Sequence, residues 1–165
     1  MIVVSDSTPL ITLMKAGQLQ VLHALFGRVL IPSTVFLELT SNDAYENEAE
    51  LIRTSTFIEN VTVENPDYVT LLQRATGLDR GESEAIVYAD ENRADILLMD
   101  EEAGRRVARN MNLPIADSIG ILIKAFQNGF LTASEVEESL CRIEKSGRYI
   151  SSTLLQRVRQ IINEV

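Results

Sequence analysis

Cysteine occurs once in the 165 residues, at Cys141, so no internal disulfide can form and a reducing, cytoplasmic setting is expected. Histidine also occurs once, at His23. One residue of each kind is too few for a zinc site of the usual type, and a Ser-His-Asp triad would have to be built on His23 alone. The apolar helical stretch Leu19 to Phe26 around His23 points to a packing or solvated-edge role for it. No apolar run is long enough to cross a bilayer, and no basic-then-apolar leader opens the chain, so a soluble protein is expected.

Positive charge is in short supply. Lys and Arg number 15 against 24 Asp and Glu, a net charge of -9. Such a balance repels polyanions unless basic residues cluster or a cation intervenes, and it equally suits a basic protein partner. The chain is nevertheless 45% apolar, enough for one domain over residues 1–165 with a sizeable core.

The organising stretch is the first. Ile2-Val3-Val4 stops at Ser5-Asp6-Ser7-Thr8-Pro9, a buried strand feeding a helix for which Thr8 is the expected N-cap and Pro9 the first helical residue. Asp6 then lies at the carboxyl end of a strand, the edge where open α/β sheets bind ligands. Leu10 to Phe26 reads as helix broken near Gly17, and Val29-Leu30-Ile31 as a strand, with Ser33 capping Thr34 to Leu39. Helix over 42–54, strand over 57–63 and helix over 69–75 follow. Asp79 and Glu82 have the form of a capping box for a helix reaching about Asn92. Ile96 to Met99 is a strand ended by Asp100. Helix from Glu101 to Asn110, strand Pro114 to Ala116 and three amphipathic helices over 119–126, 132–145 and 152–164 complete the chain. Strands alternating with helices imply an α/β fold with a parallel sheet covered on both faces.

Four acids from separate segments stand out. Asp6 has no capping duty if Thr8 caps the helix. Asp100 shares the strand-end position, although it can also cap Glu101 onward. Glu38 interrupts the apolar Val35-Phe36-Leu37-Glu38-Leu39, where a solvent-facing glutamate is the plain explanation. Glu84 is left without a role once Glu82 is assigned to the capping box, and burying it unpaired would be costly unless a metal offset the charge. Hard divalent cations prefer such oxygen ligands, and Mg²⁺ keeps waters, so a few carboxylates around a cleft suffice.

Val4-Ser5-Asp6-Ser7-Thr8-Pro9-Leu10-Ile11, Ile31-Pro32 with Glu38, Gly81-Glu82-Ser83-Glu84-Ala85-Ile86, and Leu97-Leu98-Met99-Asp100 with Arg105-Arg106-Val107-Ala108 together resemble the PIN-domain superfamily. More narrowly, they are similar to a prokaryotic branch of predicted nucleic-acid-binding proteins close to the VapC-like toxins. The resemblance implies a three-layer α/β/α sandwich with a central parallel sheet of about five strands. It also implies a Mg²⁺- or Mn²⁺-dependent endoribonuclease, the toxin of a toxin-antitoxin pair, with RNA as substrate and an antitoxin protein as partner. Matched by position, Asp6, Glu38, Glu84 and Asp100 would be catalytic, with Asp6, Glu84 and Asp100 as metal ligands and Ser7 or Thr8 supporting them. Glu84 stands where many PIN domains have aspartate. Asp117 would be an added ligand at the same edge or a cap for the next helix.

Arg80, Arg105, Arg106 and Arg109 are the candidate rim for a phosphate backbone, or a solvated face offsetting Glu101 and Glu102. Aromatics, at 5%, are too few for extensive base stacking. Apolar positions of the last two helices left outside the core would suit a homodimer or an antitoxin helix. A receiver-type phosphotransfer fold needs an aspartate after the third strand, where Val63 is followed by Glu64-Asn65. The stronger alternative is a non-catalytic PIN-like module that binds nucleic acid or protein.

Overall fold

Five parallel strands form the centre of the computed structural model, which describes residues 1–164. They are β1 (Val3–Ser5), β2 (Val29–Pro32), β3 (Ile58–Val61), β4 (Ile96–Leu98) and β5 (Ile115–Ala116), in the order β3-β2-β1-β4-β5. Val4 lies opposite Leu30 on one side and Leu97 on the other, and Ser5 opposite Leu98. Because β1 joins β2 on one flank and β4 on the other, the chain's direction of travel across the sheet reverses at β1. The crevice beyond the carboxyl ends there is where such sheets take ligands.

Strand residues alternate between two apolar cores. Val3, Val29, Ile31 and Leu98 face one, with side chains from α1 (Ser7–Lys15), α2 (Val21–Phe26), α3 (Ser33–Thr40), α4 (Glu46–Thr54), α8 (Ser118–Gln127), α9 (Ala133–Lys145) and α10 (Ser152–Asn163). Val4, Leu97 and Met99 face the other, with α5 (Pro66–Thr76), α6 (Arg80–Glu91) and α7 (Glu102–Asn110). Strands buried on both faces read as continuous apolar runs, which is why they were legible without strict alternation. A short 3₁₀ turn, Asp43–Tyr45, precedes α4.

Several boundaries differ from the sequence reading. The first helix begins at Ser7 with Asp6 in the N-cap position, so Thr8 is already inside it. The break near Gly17 is real: Gly17 takes φ +73°, a conformation that favours glycine, and separates α1 from α2. Ser33 is the first residue of α3 rather than its cap, Pro32 occupying that position. β3 is shorter than 57–63, and α5 starts at Pro66 because Asn65 accepts a hydrogen bond from the Tyr68 N–H. The Asp79–Glu82 capping box is present at the start of α6. His23 stacks on Phe57, ring centroids 5.3 Å apart, and its Nδ1 lies 2.9 Å from the Gly27 carbonyl. His23 is exposed, and with this stacking it fills the packing or solvated-edge role expected of it. Among the described residues, no helix is long and apolar enough to cross a membrane.

Candidate active site

Asp6 follows β1 directly, and its N–H donates to the Leu98 carbonyl at 3.1 Å, extending the pairing with β4 by one step. The backbone is extended at Asp6 (φ -75°, ψ 171°), and the side chain accepts no capping hydrogen bond from α1. The residue is 3% exposed. Burial pushes the Asp6 carboxyl up to about 7, helped by the negative charges of Glu82, Asp79 and Glu38 and only partly offset by the Ser7 backbone N–H. The three side-chain charges that bear most strongly on it, Glu82, Asp79 and Glu38, are acidic.

Glu38 comes to this place from α3. Burial raises its pKa, as do Asp79 and Glu84, while a hydrogen bond from the Ser7 side chain lowers it. Its carboxylate lies against the first turn of α6, where Gly81 provides the room: a methyl group placed on Gly81 would sit 2.5 Å from Glu38 Oε1. Glu82, 7% exposed, is likewise raised by burial and by Asp79 and Glu101, against the stabilising Asp79 backbone N–H. The Ser7 hydroxyl thus favours the ionised form of Glu38, whereas the Thr8 hydroxyl reaches Glu101 Oε1 at 3.5 Å.

Glu84 is buried but not unpaired. Its Oε2 accepts the Thr34 N–H at 3.0 Å, and Oε1 lies 3.3 Å from Arg80 Nε. Pro32 has no side-chain acceptor to cap α3, and Glu84 supplies one from α6. The premise that Glu84 needs a metal to offset its burial is thus corrected: a backbone donor and a guanidinium already do so. The same bond holds the start of α3, and with it Glu38, against α6.

Asp100 lies two residues beyond β4 with its carboxylate fully engaged. Oδ1 accepts the Ser118 N–H at 2.8 Å, and Oδ2 accepts the Ser118 hydroxyl at 2.9 Å and the Thr12 hydroxyl at 3.3 Å. Arg148 Nη2 stands 3.5 Å from Oδ2, and Nη1 donates to the Thr12 hydroxyl. Asp100 does not cap α7, whose N-cap is Glu101. Of the two roles open to Asp117, the structure shows the cap: its Oδ1 accepts the Gly120 N–H at 2.7 Å.

The basic candidates are mostly committed locally. Arg80 pairs with Glu84. Arg105 donates to the Met99 carbonyl at 3.0 Å and lies 3.6 Å from Asp117. Arg109 pairs with Glu102 at 2.9 Å. Arg106 is exposed on the same helix. For Arg109 and Glu102 the solvated-face reading holds.

Sequence reasoning missed Asp79, Glu82 and Glu101 as members of the acidic pocket, because the capping box accounted for the first two and a cap does not cancel charge. It also missed Arg148, which no local motif marks. The expected metal set of Asp6, Glu84 and Asp100 does not converge: among the described residues no group of three His, Cys, Asp or Glu could hold a metal ion. The donor chemistry still suits a hard cation. The pocket gathers carboxylate oxygens, those of Asp6 and Glu38 destabilised as anions by burial and like charge, and Mg²⁺ binds through one or two carboxylates with waters completing its octahedron.

No curated protein matches the chain. A family model described as a PIN domain matches residues 2–164, over a parallel sheet whose strand ends carry these acids. PIN domains are generally nucleases and usually use divalent metal ions, and the chain belongs to the PIN-domain family.

Proposed function

We propose that residues 1–165 form one PIN-like domain that is a Mg²⁺- or Mn²⁺-dependent endoribonuclease, the toxin of a toxin-antitoxin pair. The observation that carries the reading is Asp6, a buried carboxyl at the sheet's switch point with Glu82, Asp79 and Glu38 as its main charged neighbours. Asp6 and Glu38 would hold the cation, and Glu84 and Asp100 complete the acidic edge with carboxylates already oriented by hydrogen bonds, as ligating carboxylates commonly are. When bound, the cation supplies a lowered pKa for a coordinated water and neutralises charge on the phosphate. Ser7 fixes Glu38, and Glu84 fixes the helix that carries it. The exposed Tyr45 side chain, which lines a recess of about 230 Å³ together with Ile11, Met14, Lys15, Leu39 and Glu48, marks the surface proposed for the antitoxin.

Cleavage of a mixed RNA pool by the purified protein tests this. The expected result is cleavage with Mn²⁺ or Mg²⁺ and none with chelator. RNA binding without cleavage under any metal would overturn it in favour of a non-catalytic binding module.

Gly81→Ala separates site geometry from stability. Gly81 is the second residue of α6, where alanine's advantage over glycine falls below the value of about 1 kcal/mol for a helix interior, so the melting temperature should change little. The added methyl must displace the Glu38 carboxylate, and a displacement of this size costs cleavage about a hundredfold. Unchanged cleavage would remove Glu38 from the site.

A further inference from the structure

A second recess is lined by Asp100 and does not include Glu38. It has a volume of about 240 Å³ and is lined by Ser118 at the start of α8, by Ile143 of α9, by Arg148 and Tyr149 in the turn after α9, and by Ser151 and Leu154 at the start of α10. Its walls combine apolar side chains, hydroxyls, the Arg148 guanidinium and the carboxylates of Asp100 and Asp117, the first of which faces Arg148 and the second Arg105. Arg148 keeps 31% of its side chain exposed while its Nη atoms reach Thr12 and Asp100. Its neighbour Tyr149 is 85% exposed, in a chain that has only 5% aromatic residues. An exposed ring next to a cation at the catalytic sheet edge is an arrangement that packing does not require. It matches what single-stranded nucleic acid needs, a face for the base and a charge for the phosphate.

We propose that this recess binds one nucleotide of single-stranded RNA next to the scissile position, its phosphate on Arg148 and its base on Tyr149. The inference rests on the nuclease reading and adds to it the subsite that positions the strand. The five donors of the guanidinium allow Arg148 to keep its contact with Asp100 and still face a phosphate oxygen. Arg148 is thereby a positioning residue, linking the bound strand to the acid at the end of β4.

Binding of a short fluorescein-labelled oligouridine, read by anisotropy in chelator so that nothing is cleaved, tests the subsite with the full chain. Tyr149→Ala, at an exposed position that folding does not depend on, should weaken binding about tenfold. Tyr149→Phe should bind as the parent does, since it keeps the ring. Arg148→Gln should lower the slope of log affinity against log salt by about one. If the parent cleaves and binds RNA and Tyr149→Ala binds equally well, the subsite is wrong and the nuclease reading stands. If the parent neither binds nor cleaves RNA, the nuclease reading fails and the subsite falls with it.

Discussion

At pH 8 in the absence of metal, Asp6→Asn should unfold at a higher temperature than the parent, and near pH 4 the two should unfold together. The folded-state carboxyl is pushed from 3.8 to about 7, so between those values the unfolded chain has lost the Asp6 proton and the folded chain has kept it. Stability contributed by the protonated group is complete below about 3.8, declines as pH rises through this window, and is gone once the folded group ionises above about 7. The parent at pH 8 therefore holds an ionised, buried carboxylate among like charges. Asparagine removes that charge, with a gain of about 3 kcal/mol. Mg²⁺ should close the gap by raising the parent's melting temperature at pH 8 while leaving the variant's unchanged. The same substitution should lower metal-dependent RNA cleavage about a thousandfold, the scale of several kcal/mol of lost charge stabilisation. A variant more stable and nearly inactive marks a residue kept for chemistry. A variant less stable at pH 8 would mean that Asp6 serves the fold.

Asp100→Ala should do the opposite to stability. It leaves the Ser118 N–H, the Ser118 hydroxyl, the Thr12 hydroxyl and the Arg148 guanidinium without their shared acceptor. A buried donor stripped of its partner costs about 1–3 kcal/mol, and Arg148 is partly solvated, so a total of about 3 kcal/mol is expected. Chemical denaturation measures it. Combining Asp100→Ala with Arg148→Met should cost less than the two single changes added, because the second removes a charge that the first strands. Additive costs would show that the Asp100–Arg148 contact contributes nothing. The two acids at neighbouring strand ends thus differ: Asp6 is held against the fold's preference, whereas Asp100 ties β4 to α1, α8 and the turn after α9.

The sheet was readable because its strands are short unbroken apolar runs and its helix starts carry Asp79, Asp117 and Thr132, each accepting the hydrogen bond that its position implies. Asp6 does stand at a strand end, as its place in the sequence implies, but the helix start assigned to Thr8 belongs to Asp6 itself. Thr8 was preferred on propensity, and the strand-to-helix turn came two residues earlier. Glu84 was misjudged in its surroundings, since nothing local shows that α3, fifty residues upstream, presents an uncapped N–H to it. Arg148 was invisible for the same reason: its partners Thr12 and Asp100 are distant in sequence and belong to other elements. Contacts set by tertiary packing, not by local pattern, are what the linear reading lacked.

Mn²⁺ binding read by the loss of the free-ion paramagnetic resonance signal, in the parent and in Asp6→Asn at pH 8, tests the central claim that the acidic pocket at the switch point holds the cation. Saturable binding by the parent that is lost in the folded Asp6→Asn protein is the predicted result. Equal binding by the two proteins would contradict the account and move the metal away from Asp6.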